Sequence, residues 1–464
     1  MSELRSRSLW RTVEAAASGV RVGWPVERRT VLSALAPSPL VLALLTALGA
    51  AVFLAGITAH PAGRDEAVSL LLVRQPVERF VSLLAGHEVL PAGYFLLLWA
   101  WPHDSLLQAR LLSWVAAVAC IPVVTLAGAR LGLRRPWLAG LLVACSPFLA
   151  YEAEEARMYS WLALFGAAAL LAVAALPERP GRRWAAGLGA LLAAGMYLHY
   201  FAAFTALGVI AVLLLRRHFS LAVQVVLVAS LLFLPGLLLM IGQTAVILRY
   251  PTQSWQERLT THGLNTITGM LFGGAEYDPY GRRIALLLAC GAGLPLLIGI
   301  FSATLTARYL AAMAPVLLLC LAIALDSLPR PVFLPATLGA LLLSLGLVGY
   351  LDVRYDTLKP PTPELLAAAR AADAEYVIGH RHFAPQAAYY APGGEAFAFN
   401  PPPVDHVGLW AMPAGLAYPP SPPRPVLAVD YCEGPAPIPP GYRVTRRWVN
   451  AGADFCAWLA VPPP

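Results

Sequence analysis

The sequence predicts an all-α polytopic membrane protein with a small α/β domain at its C-terminal end. Three observations carry that reading. Only 13% of the 464 residues are charged and 58% are hydrophobic, whereas soluble domains carry about a quarter charged residues. Apolar runs near the length of a membrane helix recur between residues 34 and 350, and such runs are the mark of bilayer crossings. The arginines gather in alternate links between those runs, as the positive-inside rule requires. The net charge of +7 is therefore topological. No basic-aromatic module of the kind that reads nucleic acid is present.

The elements follow in order. Residues 1–31 are polar and basic, with Arg5, Arg7, Arg11, Arg21, Arg28 and Arg29, and are expected in the cytosol. Arg28–Arg29 ahead of an apolar run has a faint look of a twin-arginine export signal, but the many later spans favour an uncleaved first membrane helix. The first span covers about 34–58, within a membrane domain of 32–352. A polar insert follows at 59–105. Within it, 76–86 has apolar residues at helical spacing and predicts an interfacial helix. Residues 91–101 are apolar but too short to cross alone.

Further spans are expected near 106–129, 137–151, 158–176, 185–199, 201–215 and 221–247. After a mixed stretch at 248–283, three more close the membrane domain near 284–301, 308–325 and 332–350. With the N-terminus inside, Arg130, Arg134, Arg135, Arg179, Arg182, Arg183, Arg216 and Arg217 all fall inside. The loop 59–105, the knot 151–157 and the 199–200 corner then lie outside. The favoured reading has 261–274 cross or mimic a crossing, which gives about eleven crossings and an extracytoplasmic C-terminal domain; if it does not cross, that domain faces in.

The tail, 360–464, predicts a small α/β domain. PELLAAARAADAE reads as helix, YVIG as strand, and APQAAYYAPG as a short helix ending at a glycine turn. PVLAVD, YRVTRRWV and FCAWLAV read as strands. Cys120, Cys145, Cys290 and Cys320 lie in apolar runs and read as small hydrophobes. Cys432 and Cys456 lie in the tail; an oxidising compartment permits a disulfide between them, and two thiols are the alternative. No cysteine spacing suits zinc.

Chemistry-bearing residues cluster at the outer corners. Asp65–Glu66 follows the first span; a partly buried carboxylate there can serve as a general base, or only meet water. His87–Glu88 precedes the apolar run containing Tyr94, where helix capping competes with function. The knot YEAEEARMYS holds Glu152, Glu154, Glu155, Arg157 and Tyr159 between two spans. Ionisable groups at a membrane edge are functional candidates by default, although a Glu154–Arg157 helical pair is the plain reading. Arg157 could instead clamp a phosphate, which suits guanidinium geometry. His199–Tyr200 and Arg308–Tyr309 stand at span ends, where interfacial anchoring and snorkelling are the alternatives. All these positions converge on one membrane face.

At these residues the chain resembles the GT-C superfamily of polyprenyl-phosphate-sugar glycosyltransferases, and within it the protein-mannosyltransferase-like branch, glycosyltransferase family 39. Asp65–Glu66 matches that branch's DE pair in the first outer loop. HEVLPAGYFLLLW and QARLLSWVAAV match its next two segments in outline. Glu155-Ala156-Arg157-Met158-Tyr159 matches its E-A-R-x-Y element, Leu198-His199-Tyr200-Phe201 its T-H-Y-F corner, and Arg308-Tyr309-Leu310 with Pro315 its R-Y-L-x-x-x-x-P span start. The resemblance covers roughly 34–350.

The resemblance implies a multi-pass plasma-membrane enzyme with an extracytoplasmic site. It would move mannose or a similar sugar from a polyprenyl phosphate to a hydroxyl of a glycan, lipid or protein. Asp65 would act as general base, with inversion at the anomeric carbon. Arg157, with Arg308, would stabilise the departing phosphate. Glu66, His87 and Glu88 would orient the acceptor or Asp65. Tyr94, Glu155, Tyr159, His199, Tyr200 and Tyr309 would complete the substrate-binding set. The carboxylates could hold a divalent cation, although their spacing does not require one. A flippase for a lipid-linked sugar, or a non-catalytic assembly partner, are the alternatives; inverted repeats and mid-helix charges, which would favour a transporter, are not evident.

Overall fold

A computed structural model describes residues 37–86, 90–247, 289–294, 307–356, 359, 361–379, 383–391, 397–399, 423–432, 436–450 and 455–463. The N-terminal 31 residues, His87, Glu88 and the 248–283 stretch lie outside the described residues.

Helix α1, Pro39–Leu54, opens on Ser38, whose hydroxyl accepts a hydrogen bond from the Val41 amide at 3.2 Å. The polar insert that follows is folded. Its first helix, α2 (Arg64–Val73), buries every residue from Glu66 to Val73. Helix α3 (Val77–Gly86) buries Phe80, Leu83 and Leu84 and leaves Val77 and Val81 exposed, as an interfacial helix should. Helix α4 (Ala92–Ala100) is the short apolar segment expected there.

Helix α5, Leu106–Arg130, is the first long span after the insert. Ser105 and Gln108 form its capping box: the Ser105 hydroxyl accepts from the Gln108 amide at 3.2 Å, and Gln108 Oε1 accepts from the Ser105 amide at 3.0 Å.

The expected span at 137–151 is two helices, α6 (Trp137–Ala144) and α7 (Pro147–Ala153). Pro147 explains the break. It lacks an amide donor and disfavours helical geometry in the residue before it, and Ser146 caps the second helix by accepting from the Leu149 amide at 3.3 Å. The re-aimed α7 carries the Tyr151–Arg157 knot toward α2.

Helices α8 (Tyr159–Ala174), α9 (Arg182–Leu198), α10 (Ala202–Leu215) and α11 (Phe219–Ile247) follow the expected order. A 3₁₀ turn at Ala307–Met313 leads into α12 (Ala314–Ser327), and α13 spans Arg330–Asp356. Among the described residues, four helical stretches are long and apolar enough to cross a membrane: Leu106–Arg130, Phe219–Gln243, Arg308–Ser327 and Arg330–Tyr350. Pro39–Leu54, Tyr159–Ala174 and Ala202–Leu215 are shorter apolar helices. Leu231, Leu238, Leu334, Leu342 and Leu343 are exposed on α11 and α13. Such continuous apolar exposure is the surface a bilayer covers.

The tail holds α14 (Thr362–Ala371), β1 (Glu375–Ile378), α15 (Ala384–Tyr390), β2 (Phe397–Phe399), β3 (Val426–Tyr431), β4 (Arg443–Asn450) and β5 (Phe455–Val461). Helix α14 stops short of the expected end, because Asp373 turns left-handed at φ 47° and the chain enters β1 two residues later. The sheet runs β2-β1-β3-β5-β4. β1 is parallel to β2 and β3, and β5 is antiparallel to β3 and β4. Cys432 and Cys456 form a disulfide with Cα atoms 5.0 Å apart, joining the end of β3 to β5. Helices and sheet belong to one compact unit, Pro37–Pro464. Helix α15 packs on α2, and its Tyr389 ring lies 4.8 Å from the Arg74 guanidinium.

Candidate active site

The site is assembled around Glu66, in the first turn of α2. This carboxylate is completely buried. Oε1 accepts from Arg110 Nε at 2.8 Å and from the Ala156 amide at 2.9 Å. Oε2 accepts from Arg110 Nη2 at 2.9 Å, the Gly63 amide at 2.9 Å and Lys359 Nζ at 3.1 Å. Burial alone would raise the Glu66 pKa, but Lys359, Arg110 and the Ala156 amide outweigh it and hold the carboxyl far below the ordinary glutamate value. Arg110 spends its remaining donors on carbonyls of the preceding turn: Nη1 reaches Ile57 and His60, both at 2.9 Å, and Nη2 reaches Pro61 at 3.2 Å. One buried ion pair thus fixes the loop that leads into α2.

Lys359, between α13 and α14, bridges to Glu155, with Nζ 3.0 Å from Oε1. Burial works against this ammonium, but Glu155 and Glu66 hold its pKa above the usual lysine value. The Tyr151 hydroxyl donates to Glu155 Oε1 at 3.1 Å. Glu155 Oε2 lies 4.0 Å from Arg308 Nη1, which in turn lies 3.4 Å from Asp65 Oδ2. Charge therefore alternates from Arg110 through Glu66, Lys359, Glu155 and Arg308 to Asp65.

That last pair faces outward. The Asp65 side chain is 40% exposed and that of Arg308 32%, against 0% for Glu66 and 6% for Glu155. Arg157 is buried beside them. Its Nη1 donates to Ser69 Oγ at 2.9 Å and to the Asp65 carbonyl at 3.3 Å. Desolvation raises the Asp65 pKa, but Arg157 and then Arg308 outweigh it and hold the carboxyl below its ordinary value.

An aromatic wall adjoins the two guanidiniums. The Arg308 and Arg157 Cζ atoms lie 5.4 and 6.0 Å from the Tyr159 ring centre. Tyr159 stacks with Tyr309 at 6.3 Å, and His199 lies 4.7 Å from Tyr309. His199 is buried. Its Nδ1 accepts from the Phe201 amide at 3.1 Å, so the ring is neutral with its proton on Nε2. Nε2 has no protein partner among the described residues.

Of the residues expected from sequence, Asp65, Glu66, Glu155, Arg157, Tyr159, His199, Arg308 and Tyr309 come together here. Tyr200 turns the other way: its hydroxyl donates to Gln243 Oε1 at 2.7 Å, and Gln243 Nε2 donates to the Leu84 and Leu90 carbonyls at 2.8 and 3.1 Å. Tyr94 is fully buried, edge-on to Phe95. Arg157 stands in the non-helical link between α7 and α8 and donates across to α2, so the plain reading of Glu154 and Arg157 as a pair along one helix does not hold.

Sequence reasoning passed over Arg110, Lys359, Ser69 and Tyr390. The Tyr390 hydroxyl accepts from the Ala62 amide at 2.6 Å, so the tail grips the same loop as Arg110. A signal existed for two of them. Arg110 is a charge within QARLLSW, inside a span, and Lys359 is the sole lysine beside 32 arginines.

No protein-family model matches the sequence, and no curated protein matches it. Solved structures do match the fold. ArnT from Cupriavidus metallidurans bound to undecaprenyl phosphate aligns with a TM-score of 0.58 at 15% identity, over 92% of this chain and 100% of that one. This chain has the fold of ArnT. ArnT in the apo state gives 0.56 at 13% identity, over 91% and 98% of the two chains. An oligosaccharyltransferase from Archaeoglobus fulgidus, in complex with Zn and sulfate, gives 0.47 at 13% identity, over 75% of this chain and 61% of that one. The described residues include no group of three or more His, Cys, Asp or Glu side chains placed to hold a metal ion.

Proposed function

We propose that the chain is an inverting membrane glycosyltransferase, moving a sugar from a polyprenyl phosphate to an acceptor hydroxyl at the extracytoplasmic face of the plasma membrane. The observation that carries this reading is the Asp65–Arg308 pair, the exposed end of an otherwise buried charge array. A base and a phosphate-seeking cation stand side by side where donor and acceptor can both reach.

Asp65 takes the acceptor proton as its oxygen attacks the anomeric carbon. Asp65 is ionised at neutral pH and so free to take the proton, while Arg157 and Arg308, which hold its pKa below the ordinary value, make it a weaker base than a free aspartate. The bond to the phosphate oxygen breaks, and Arg308 with Arg157 stabilises the charge that collects there, the kind of electrostatic stabilisation that is commonly the largest catalytic contribution. The His199 Nε2–H is a further donor for a substrate oxygen. The rings of Tyr159 and Tyr309 offer apolar faces to the sugar or the first isoprene units.

Three lines support the donor and the side. ArnT, whose fold this chain shares, has been seen with undecaprenyl phosphate bound. The arginine-rich links Arg130–Arg135, Arg179–Arg183 and Arg216–Arg217 favour a cytosolic face opposite the site. The Cys432–Cys456 disulfide suits an oxidising compartment for the tail. Mannose or a similar hexose, and a glycan, lipid or protein hydroxyl, are the substrates this reading takes to the bench.

The test is purified protein in lipid, supplied with sugars carrying a radiolabel on either a polyprenyl phosphate or a nucleotide. Label is expected to pass to the acceptor fraction from the polyprenyl donor alone. Transfer from the nucleotide sugar, without the lipid donor, would sink the proposal.

A further inference from the structure

Lys359 is the chain's one lysine, and it lies between two buried carboxylates, 3.1 Å from Glu66 Oε2 and 3.0 Å from Glu155 Oε1. Two acidic side chains facing each other in a buried gap demand a cation between them. A divalent ion would meet that demand at roughly 2.0–2.6 Å from each oxygen. Here the gap is filled at hydrogen-bond distance by the chain itself, and the other oxygen positions of Glu66 are taken by Arg110, Ala156 and Gly63. The acidic groups present therefore do not fit a metal ion while Lys359 is in place.

We propose that Lys359 is the resident cation of this site. Its ammonium does for Glu66 and Glu155 what a bound divalent metal would otherwise do, and the site works without a metal. The proposal rests on the glycosyltransferase reading for what the site accomplishes, but not for where the cation sits.

Two consequences follow from the geometry. The ammonium brings one positive charge where a divalent ion would bring two, so neutralising the departing phosphate falls to Arg308 and Arg157. Lys359 is also a positioning residue. Through Glu155 it sets the carboxylate that faces Arg308, and Arg308 sets Asp65. It enters from the link between α13 and α14, so docking of the tail and assembly of the site are one event.

The experiment reads metal rather than activity. Full-length wild-type protein, purified in lipid-supplemented detergent, is expected to hold no stoichiometric divalent metal by elemental analysis and no saturable Mn²⁺ by electron paramagnetic resonance. Lys359→Ala should open the gap and gain a saturable Mn²⁺ site at least about tenfold tighter than wild type, because it leaves two buried carboxylates uncompensated. The double change Lys359→Ala/Glu155→Gln should lose that site again. Lys359→Met, which fills the gap without charge, should not gain it. A stoichiometric metal in the wild-type protein that disappears with Glu155→Gln would overturn the proposal, whether or not the lysine variants fold. So would a folded Lys359→Ala protein that binds no Mn²⁺. Neither readout involves sugar transfer, so failure here is distinct from failure of the proposed activity.

Discussion

Asp65→Asn is expected to lower the rate of sugar transfer by roughly 10²–10⁴-fold, the usual contribution of a positioned general base. The substitution keeps shape and removes only basicity. Asp65 is part-exposed and its side chain pairs with Arg308 at 3.4 Å, an exposed kind of pair whose loss typically costs about 1 kcal/mol or less. Donor binding and thermal unfolding should therefore stay close to wild type. The pH profile gives a second reading of the same group. Arg157 and Arg308 hold the Asp65 pKa below its ordinary value, so the active carboxylate persists as pH falls. Wild-type turnover should be flat through neutrality and decline only below about 3.9, the unperturbed aspartate value. Steady-state rates against pH, beside donor-binding titrations of both proteins, check this. Unchanged turnover in the variant would remove Asp65 from the chemistry.

Arg110→Met is expected to cost about 3–5 kcal/mol of stability, because it leaves the buried Glu66 carboxylate without its principal partner. Arg110 is itself fully buried and also holds the Ile57, His60 and Pro61 carbonyls. Removing it costs the ion pair and frees the loop before α2 at once. The accompanying double change Arg110→Met/Glu66→Gln should recover much of the loss, since exchanging both members of a buried pair is far cheaper than removing one. The pH dependence has a definite sign. Glu66 has a depressed pKa in the folded protein, so its contribution is present at neutral pH and is lost as pH falls below about 4.3, the unfolded value. Thermal unfolding of the single and double variants across pH would measure the coupling. Additive losses would show that the two side chains act independently.

Much of the helical architecture was legible in the sequence because a bilayer enforces it. Apolar length and arginine placement are physical requirements, and α1, α5, α8 to α13 follow them. Strands β1, β3, β4 and β5 of the tail were legible for a similar reason, in apolar β-branched and aromatic runs between prolines, whereas the three-residue β2, Phe397–Phe399, is too short to show such a run. The break at Ser146–Pro147 needed the local rule for proline to be weighed above the apolar run around it.

Within the site, the motif corners were found but their division of labour was not. Asp65 and Glu66 are adjacent, and on a helix adjacent side chains point about 100° apart. One of them faces outward and the other is sealed among five donors, and nothing in the dipeptide says which. Lys359 was harder still. It meets Glu66 across 293 residues of sequence, from a link assigned neither to the membrane domain nor to the tail. The tail carries no catalytic signature of its own, yet Lys359 at its entry and Tyr390 on α15 both hold the loop that presents Asp65.

The central claim is a single displacement at the anomeric carbon, with Asp65 as base and the lipid phosphate as leaving group. The anomeric configuration of the first-formed product tests it most directly, read from the anomeric proton coupling in nuclear magnetic resonance with a donor of known configuration. Inversion is the predicted result. Retention would require a covalent or doubly displaced intermediate and would contradict the account.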